Sequence, residues 1–189
     1  RDPARERWAE VVPEDRGVIE RFALAGGRLV VTALEDVVPR LRTFAADGRP
    51  LGEITFPVPG EIGNVSGRWG SNEVYFSFES FVVPATIYRH DVATGKRAVW
   101  WRSSAPVASE RFETRQVWYP SRDGTRVPMF VVHRKGLALD GRHPLYLTGY
   151  GGFTVNMTPS FSAMAALWVE SGGVFAMPNL RGGAELGEE

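Results

Sequence analysis

The sequence predicts two architectures in one chain: blades of a β-propeller over residues 1–106, then the opening of an α/β domain over residues 107–189. Three observations predict this. The first hundred residues carry short β-rich runs separated by turn signals. Those runs fall into two sets that repeat each other. Beyond a polar linker the pattern becomes strand, helix, strand, the unit from which a parallel sheet is built.

The first set comprises Val18 to Leu24, Arg28 to Leu34, Arg40 to Ala45 and Leu51 to Phe56, with Gly26-Gly27 and Asp47-Gly48 as hairpin signals. The second comprises Ile62 to Val65, Glu73 to Phe78, Thr86 to His90 and Arg97 to Trp101, with turns at Arg68 to Asn72 and Thr94-Gly95. Val37-Val38-Pro39 recurs as Val82-Val83-Pro84 at an offset of 45, and each follows a strand with an acidic residue near its tip, Glu35 or Glu79. The next turn, Asp47-Gly48-Arg49, recurs as Thr94-Gly95-Lys96 at an offset of 47. Four strands per copy at that period fit a propeller blade, whose repeats run about 40 to 50 residues. A β-sandwich with chance similarity is the alternative; strand number, turn position and period together favour the propeller. A propeller ring needs roughly four to eight blades, so two blades imply further chain.

Ser103 to Glu110 is polar, contains Pro106 and reads as a linker. Thr114 to Tyr119 and Val127 to His133 then read as strands joined by the tight turn Ser121-Arg122-Asp123-Gly124. Pro144 to Thr148 reads as a buried central strand. Phe161 to Glu170 follows as a helix opened by Pro159-Ser160, with Phe161, Met164, Ala165, Leu167 and Trp168 as its apolar face. Gly172-Gly173 ends it, and Val174 to Met177 is a second buried strand.

Composition narrows the function. Hydrophobic residues make up 43% of the 189, as in ordinary globular proteins. Lys+Arg and Asp+Glu both number 22, so the net charge is zero and nothing points to nucleic acid. There is no Cys, which excludes disulfides, thiolate catalysis and Cys-based zinc sites. His90, His133 and His143 lack metal-ligand spacing. Apolar stretches are interrupted within a few residues, so no membrane span is expected, and a soluble protein, cytoplasmic or periplasmic, is. Arg1-Asp2-Pro3 has no signal-peptide pattern and Gly187-Glu188-Glu189 is a polar run, so both ends are expected to be cut.

The segment with chemical content is Thr148-Gly149-Tyr150-Gly151-Gly152-Phe153, directly after an apolar strand. In α/β hydrolases a Gly-rich loop after an early strand supplies part of the oxyanion hole. Glycines suit it because the backbone must turn sharply and approach the substrate closely. An ordinary Gly-rich turn explains the same residues. A dinucleotide site fits less well, since no G-x-G-x-x-G is present.

Tyr119-Pro120-Ser121-Arg122-Asp123-Gly124-Thr125-Arg126-Val127-Pro128 through His133 resembles the start of the catalytic domain of prolyl oligopeptidases. Gly149-Tyr150-Gly151-Gly152-Phe153 resembles their oxyanion loop. Asn179-Leu180-Arg181-Gly182-Gly183-Ala184-Glu185-Leu186-Gly187 is similar to the family's N-[IL]-R-G-G-G-E-[YF]-G, departing at Ala184 and Leu186. Phe76 to Phe81 and Ile87-Tyr88 resemble its last propeller blade. The resemblance runs in order along nearly the whole chain.

It implies the C-terminal blades of a seven-bladed propeller followed by the start of an α/β-hydrolase domain. It implies a serine-type endopeptidase that cleaves short proline-containing peptides after proline through an acyl-enzyme, with the propeller excluding folded proteins. Tyr150 would donate its phenolic O–H to the oxyanion. Phe153 would lie beside the pocket for the substrate proline, or pack under the loop. Arg181 and Glu185 are read as an i,i+4 pair. No metal or organic cofactor is implied. The sequence contains no G-x-S-x-G, so the catalytic Ser, Asp and His are expected outside this chain, which alone is expected to be inactive and poorly soluble. The remainder of the same enzyme is therefore an implied partner. Two rival readings are a related oligopeptidase cleaving after basic residues and a non-catalytic propeller binding protein.

Overall fold

The computed structural model describes residues 4–13 and 17–186; Arg1-Asp2-Pro3 and Gly187-Glu188-Glu189 lie outside the described residues. The eight runs of the repeat form two separate four-stranded sheets. In the first, β1 (Val18–Ala25), β2 (Arg28–Glu35), β3 (Val38–Ala45) and β4 (Pro50–Ile54) pair as an antiparallel meander in chain order. In the second, β5 (Glu61–Gly67), β6 (Glu73–Ser80), β7 (Val83–Asp91) and β8 (Arg97–Arg102) do the same.

Period-2 alternation explains how the sheets meet. Along β6 every second residue is buried, so Val74, Phe76 and Phe78 share one face. They pack with Ile62 against Ala23, Ala25, Val30, Leu41 and Ile54 of the first sheet. Phe56, on the connection between the sheets, stacks on Phe78 with centroids 4.0 Å apart and meets Phe76 edge-on. Burying one such side chain contributes roughly 1.5–3 kcal/mol. The outward flanks are apolar too: Val18, Ile19 and Phe22 on β1, and Val99, Trp100 and Trp101 on β8, are all exposed.

A third sheet has the order β11-β12-β10-β9, from β9 (Phe112–Pro120), β10 (Arg126–Arg134), β11 (Leu145–Leu147) and β12 (Val174–Pro178). β9 and β10 form the expected hairpin, and β10 pairs antiparallel with β12. Only β11 and β12 run parallel, joined by α1 (Ala163–Glu170) as crossover. The sheet is thus mixed. The helix starts two residues later than expected because Ser162 is its N-cap, with its hydroxyl accepting from the Ala165 N–H.

One expectation for this unit is corrected. β12 is buried along its length, while β11 is the outermost of the four described strands, with Leu145 and Leu147 exposed and Tyr146 turned inward. The helix does not bury Met164 and Leu167; the buried residues are Ala165, Ala166 and Val169. Small side chains let the helix axis sit close to β10 and β12, which leaves the larger pair facing out.

The blades meet this unit through their hairpin tips. Val37, Phe81 and Val82 join Phe112, Phe130, Val132, Ala165, Ala166, Val169, Phe175 and Met177 in one core. The Phe81 ring lies 5.7 Å from Phe130 and 5.3 Å from Phe175. Backbone groups at the tips are satisfied across the junction: Gln116 Nε2 donates to Asp36 O and Ser109 Oγ to Val82 O, both at 2.6 Å. The Ser162 N–H donates to Phe81 O at 3.1 Å. The first Val of each repeated Val-Val-Pro is therefore a docking residue; of the middle residues, Val38 packs against the same core and Val83 against the core between the blades. In both copies the first Val and the Pro are buried and the middle Val is half-buried. No helix among the described residues is long and apolar enough to cross a membrane.

Candidate active site

The loop after β11 and the segment after β12 lie side by side at the carboxyl ends of the two parallel strands. In open α/β sheets that end is where ligands bind, because connections there leave a crevice lined by backbone amides. The strand ladder continues one step past β11, with the Thr148 N–H donating to Ala176 O at 3.0 Å. The chain then leaves the sheet as Gly149-Tyr150-Gly151-Gly152-Phe153.

Tyr150 is 41% exposed, and its ring folds over Gly152: a Cβ added there would lie 3.5 Å from the phenolic oxygen. Phe153 is 92% exposed, so its ring does not pack beneath the loop. Phe153 and Thr154 both have left-handed backbone, with φ of 52° and 55°. That conformation is costly for residues with a Cβ and persists where surroundings impose it.

The surroundings are the segment after β12. Gly151 packs so tightly on it that an added Cβ would lie 2.5 Å from Leu180 Cβ and 2.6 Å from Arg181 O. The Thr154 N–H donates to Gly182 O at 3.0 Å, and Asn156 Oδ1 accepts from the Ala184 N–H at 3.2 Å. Glu185 Oε1 accepts from the Met157 N–H at 2.8 Å and from Asn179 Nδ2 at 3.1 Å. Asn179 Nδ2 also donates to Met157 O at 2.7 Å. Asn156, Asn179 and Glu185 escaped sequence reasoning as loop-holding residues; the last two were visible only as members of a motif.

The expected Arg181–Glu185 pair does not form. Residues four apart face each other on a helix, but 181–186 is not helical, and Arg181 instead bridges to Gly183. Arg181 turns outward to Asp123 Oδ2 at 2.5 Å and Ser121 Oγ at 3.4 Å, tying down the β9–β10 turn. The Arg181 guanidinium, followed by the Thr125 N–H, lowers the Asp123 carboxyl to about 2. A cleft of about 630 Å³ lies between this turn and the 179–186 segment, lined by Thr125, Val127, Thr154, Leu180 and Leu186. A larger one, about 820 Å³, lies at the blade–linker junction by Pro57, Arg102 and Lys135, away from the glycine loop.

None of the histidines approaches this loop by hydrogen bond among the described residues. His90 lines a crevice between the blades, where burial and then Arg97 lower its pKa. His133 is buried on β10, its Nδ1 2.9 Å from Arg134 O.

Residues 1–103 match the family described as the prolyl oligopeptidase N-terminal β-propeller domain, which decides between propeller and sandwich for the paired sheets. The prolyl endopeptidase of Elizabethkingia meningoseptica is 33% identical over 188 residues, covering all of this chain and 26% of that protein. The chain thus spans about a quarter of the length of such relatives. A solved prolyl endopeptidase structure superposes with a TM-score of 0.85 at 41% identity, covering 98% of this chain and 28% of that one. Prolyl oligopeptidase B from Galerina marginata, bound to a 35-residue hydrolysis and macrocyclization substrate, gives 0.84 at 27% identity, over 95% of this chain and 26% of that one.

Proposed function

The chain belongs to the prolyl oligopeptidase family, and from that premise we propose that it is the junction segment of a serine-type endopeptidase cleaving short peptides after proline. Residues 1–106 supply the last propeller blades and 107–189 the first part of an α/β-hydrolase sheet. The 98% coverage by a solved prolyl endopeptidase, which includes the third sheet, supports that division.

In such an enzyme a Ser hydroxyl attacks the peptide carbonyl, and the carbonyl oxygen becomes an oxyanion. Tyr150 donates its O–H to that oxygen. As the tetrahedral intermediate collapses, the C–N bond breaks, the amine leaves with a proton from the base, and water later hydrolyses the acyl-enzyme. The Ser, its His and its Asp belong to the rest of the enzyme, so this chain contributes a donor and no nucleophile. Phe153 offers an exposed aromatic face to the substrate proline.

One observation carries this reading: Tyr150 stands half-exposed on a glycine-flanked loop at the carboxyl end of a parallel strand. The test is Tyr150→Phe in the full-length enzyme, assayed on a Gly-Pro amide substrate. Phe keeps the ring and deletes the donor. We expect kcat to fall by roughly 10²–10³ with KM little changed, because the bond strengthens only as charge develops. Unchanged kcat would remove Tyr150 from the mechanism. A raised KM at constant kcat would make it a ground-state contact instead.

A further inference from the structure

We propose that Glu185 is a positioning residue for the Tyr150 loop, acting through Met157 and Asn179; this rests on the reading of Tyr150 as the oxyanion donor. Glu185 is only 4% exposed. A buried carboxylate is costly unless its oxygens are satisfied. Here the partners of Oε1 are uncharged, the Met157 N–H and the Asn179 carboxamide. A cation lies four residues away in sequence, Arg181, but it points outward to Asp123. The carboxylate is therefore committed to holding loop backbone.

It holds that backbone at a decisive place. Asn179 takes Met157 O while Glu185 takes Met157 N–H, so both backbone groups of one residue are gripped by one pair of side chains. Asn179 is itself 6% exposed and anchored through its own N–H to Pro128 O on β10 at 2.9 Å. The grip thus transmits the position of the sheet to the far end of the loop. From Met157 back to Gly151, the Asn156 and Thr154 contacts and the close fit of Gly151 continue the same attachment. The left-handed Phe153 and Thr154 lie within this span, so their unfavourable backbone is imposed from both sides. Gly183 completes the arrangement: any Cβ there would overlap Glu185 Oε2, so the absence of a side chain lets the carboxylate turn inward.

The test is a double-mutant cycle in the full-length enzyme with Tyr150→Phe and Glu185→Ala, with Glu185→Gln as the conservative variant. Gln keeps an acceptor oxygen for both Met157 N–H and Asn179, so its kcat is expected to stay near wild type. Ala is expected to lower kcat by roughly 10²-fold with KM little changed, the size of loss that a donor displaced by about 1 Å produces. In the Tyr150→Phe background the same Ala substitution is expected to cost far less, since the donor it positions is gone. Equal losses in both backgrounds would make Glu185 structural only and overturn the inference, as would an unaffected kcat in the Ala variant. If Tyr150→Phe alone leaves kcat unchanged, the reading of Tyr150 fails and this inference with it; any failure with Tyr150→Phe impaired belongs to Glu185 alone. Glu185→Asp, which keeps the charge but shortens the reach, runs through the same cycle with the same readings and decides the matter where the Ala variant does not fold.

Discussion

The blade tips meet the third sheet through Val37, Phe81 and Val82, all at most 2% exposed, whereas the Tyr150 loop meets the segment after β12 through Asn156, Asn179 and Glu185. Both junctions hold one part of the chain against another, with opposite materials. Apolar burial is non-directional and scales with area. It fixes how close the blades sit and does little to fix angles. Hydrogen bonds are short and directional, so they fix where a backbone points. The structure uses the first to assemble its parts and the second to set the course of the Tyr150 loop.

That contrast can be broken most forcefully at Phe81. Phe81→Ala empties the middle of the tip junction and is expected to cost about 3–5 kcal/mol of stability, read by urea unfolding of the full-length enzyme. The cost should barely depend on salt or pH; a strong dependence on either would mean the junction is not apolar in character. Gly151→Ala attacks the other junction by forcing a methyl against Leu180 and Arg181 O. Its expected cost is about 1–3 kcal/mol, with a disproportionate loss of kcat because the loop itself shifts. Lost stability with intact kcat would show that the loop's close fit is not needed for its chemistry.

The smallest effect is expected at Asp123 and Arg181. Arg181 holds the folded-state carboxyl near 2, below its ordinary 3.8. A depressed acid stabilises the fold when ionised, so the contribution is present above about 4 and is lost as pH falls through about 2. Asp123→Asn should therefore lower stability slightly at neutral pH and not at pH 2, and added salt should shrink even the neutral difference, since the pair is exposed. A difference that is constant across pH would assign the effect to the turn's backbone bonds.

The blades were legible because period-2 alternation and turn residues are local signals, and all eight predicted strands stand within a few residues of their observed bounds. Helix position in the third unit was legible as well, but not its face. Ala163–Glu170 is apolar almost throughout, so periodicity could not distinguish Ala165, Ala166 and Val169 from Met164 and Leu167. β11 was legible as a strand from its short apolar run, but its place beside β12 and not β10 was not, since such a run carries no pairing information. At the site, glycines after a strand marked the Tyr150 loop. What holds that loop did not show, since Glu185 reaches Met157 across 28 residues and Asn179 across 22. Spacing alone suggested the neighbouring Arg181 instead, because an i,i+4 rule presumes a helix that this segment never forms.

The two docking tips are not equivalent in what they offer. Of the shared Val-Val-Pro, Val38 packs against the third sheet's core, whereas Val83 packs into the core between the blades. The preceding residue differs too. At the offset of 45 the position before the shared Val-Val-Pro is Asp36 in one copy and Phe81 in the other. Asp36 is solvent-exposed with a left-handed φ of 47°, while Phe81 fills the space between Phe130 and Phe175. The second tip therefore supplies the ring that completes the aromatic core of the third sheet, while the first closes its turn with an exposed carboxylate.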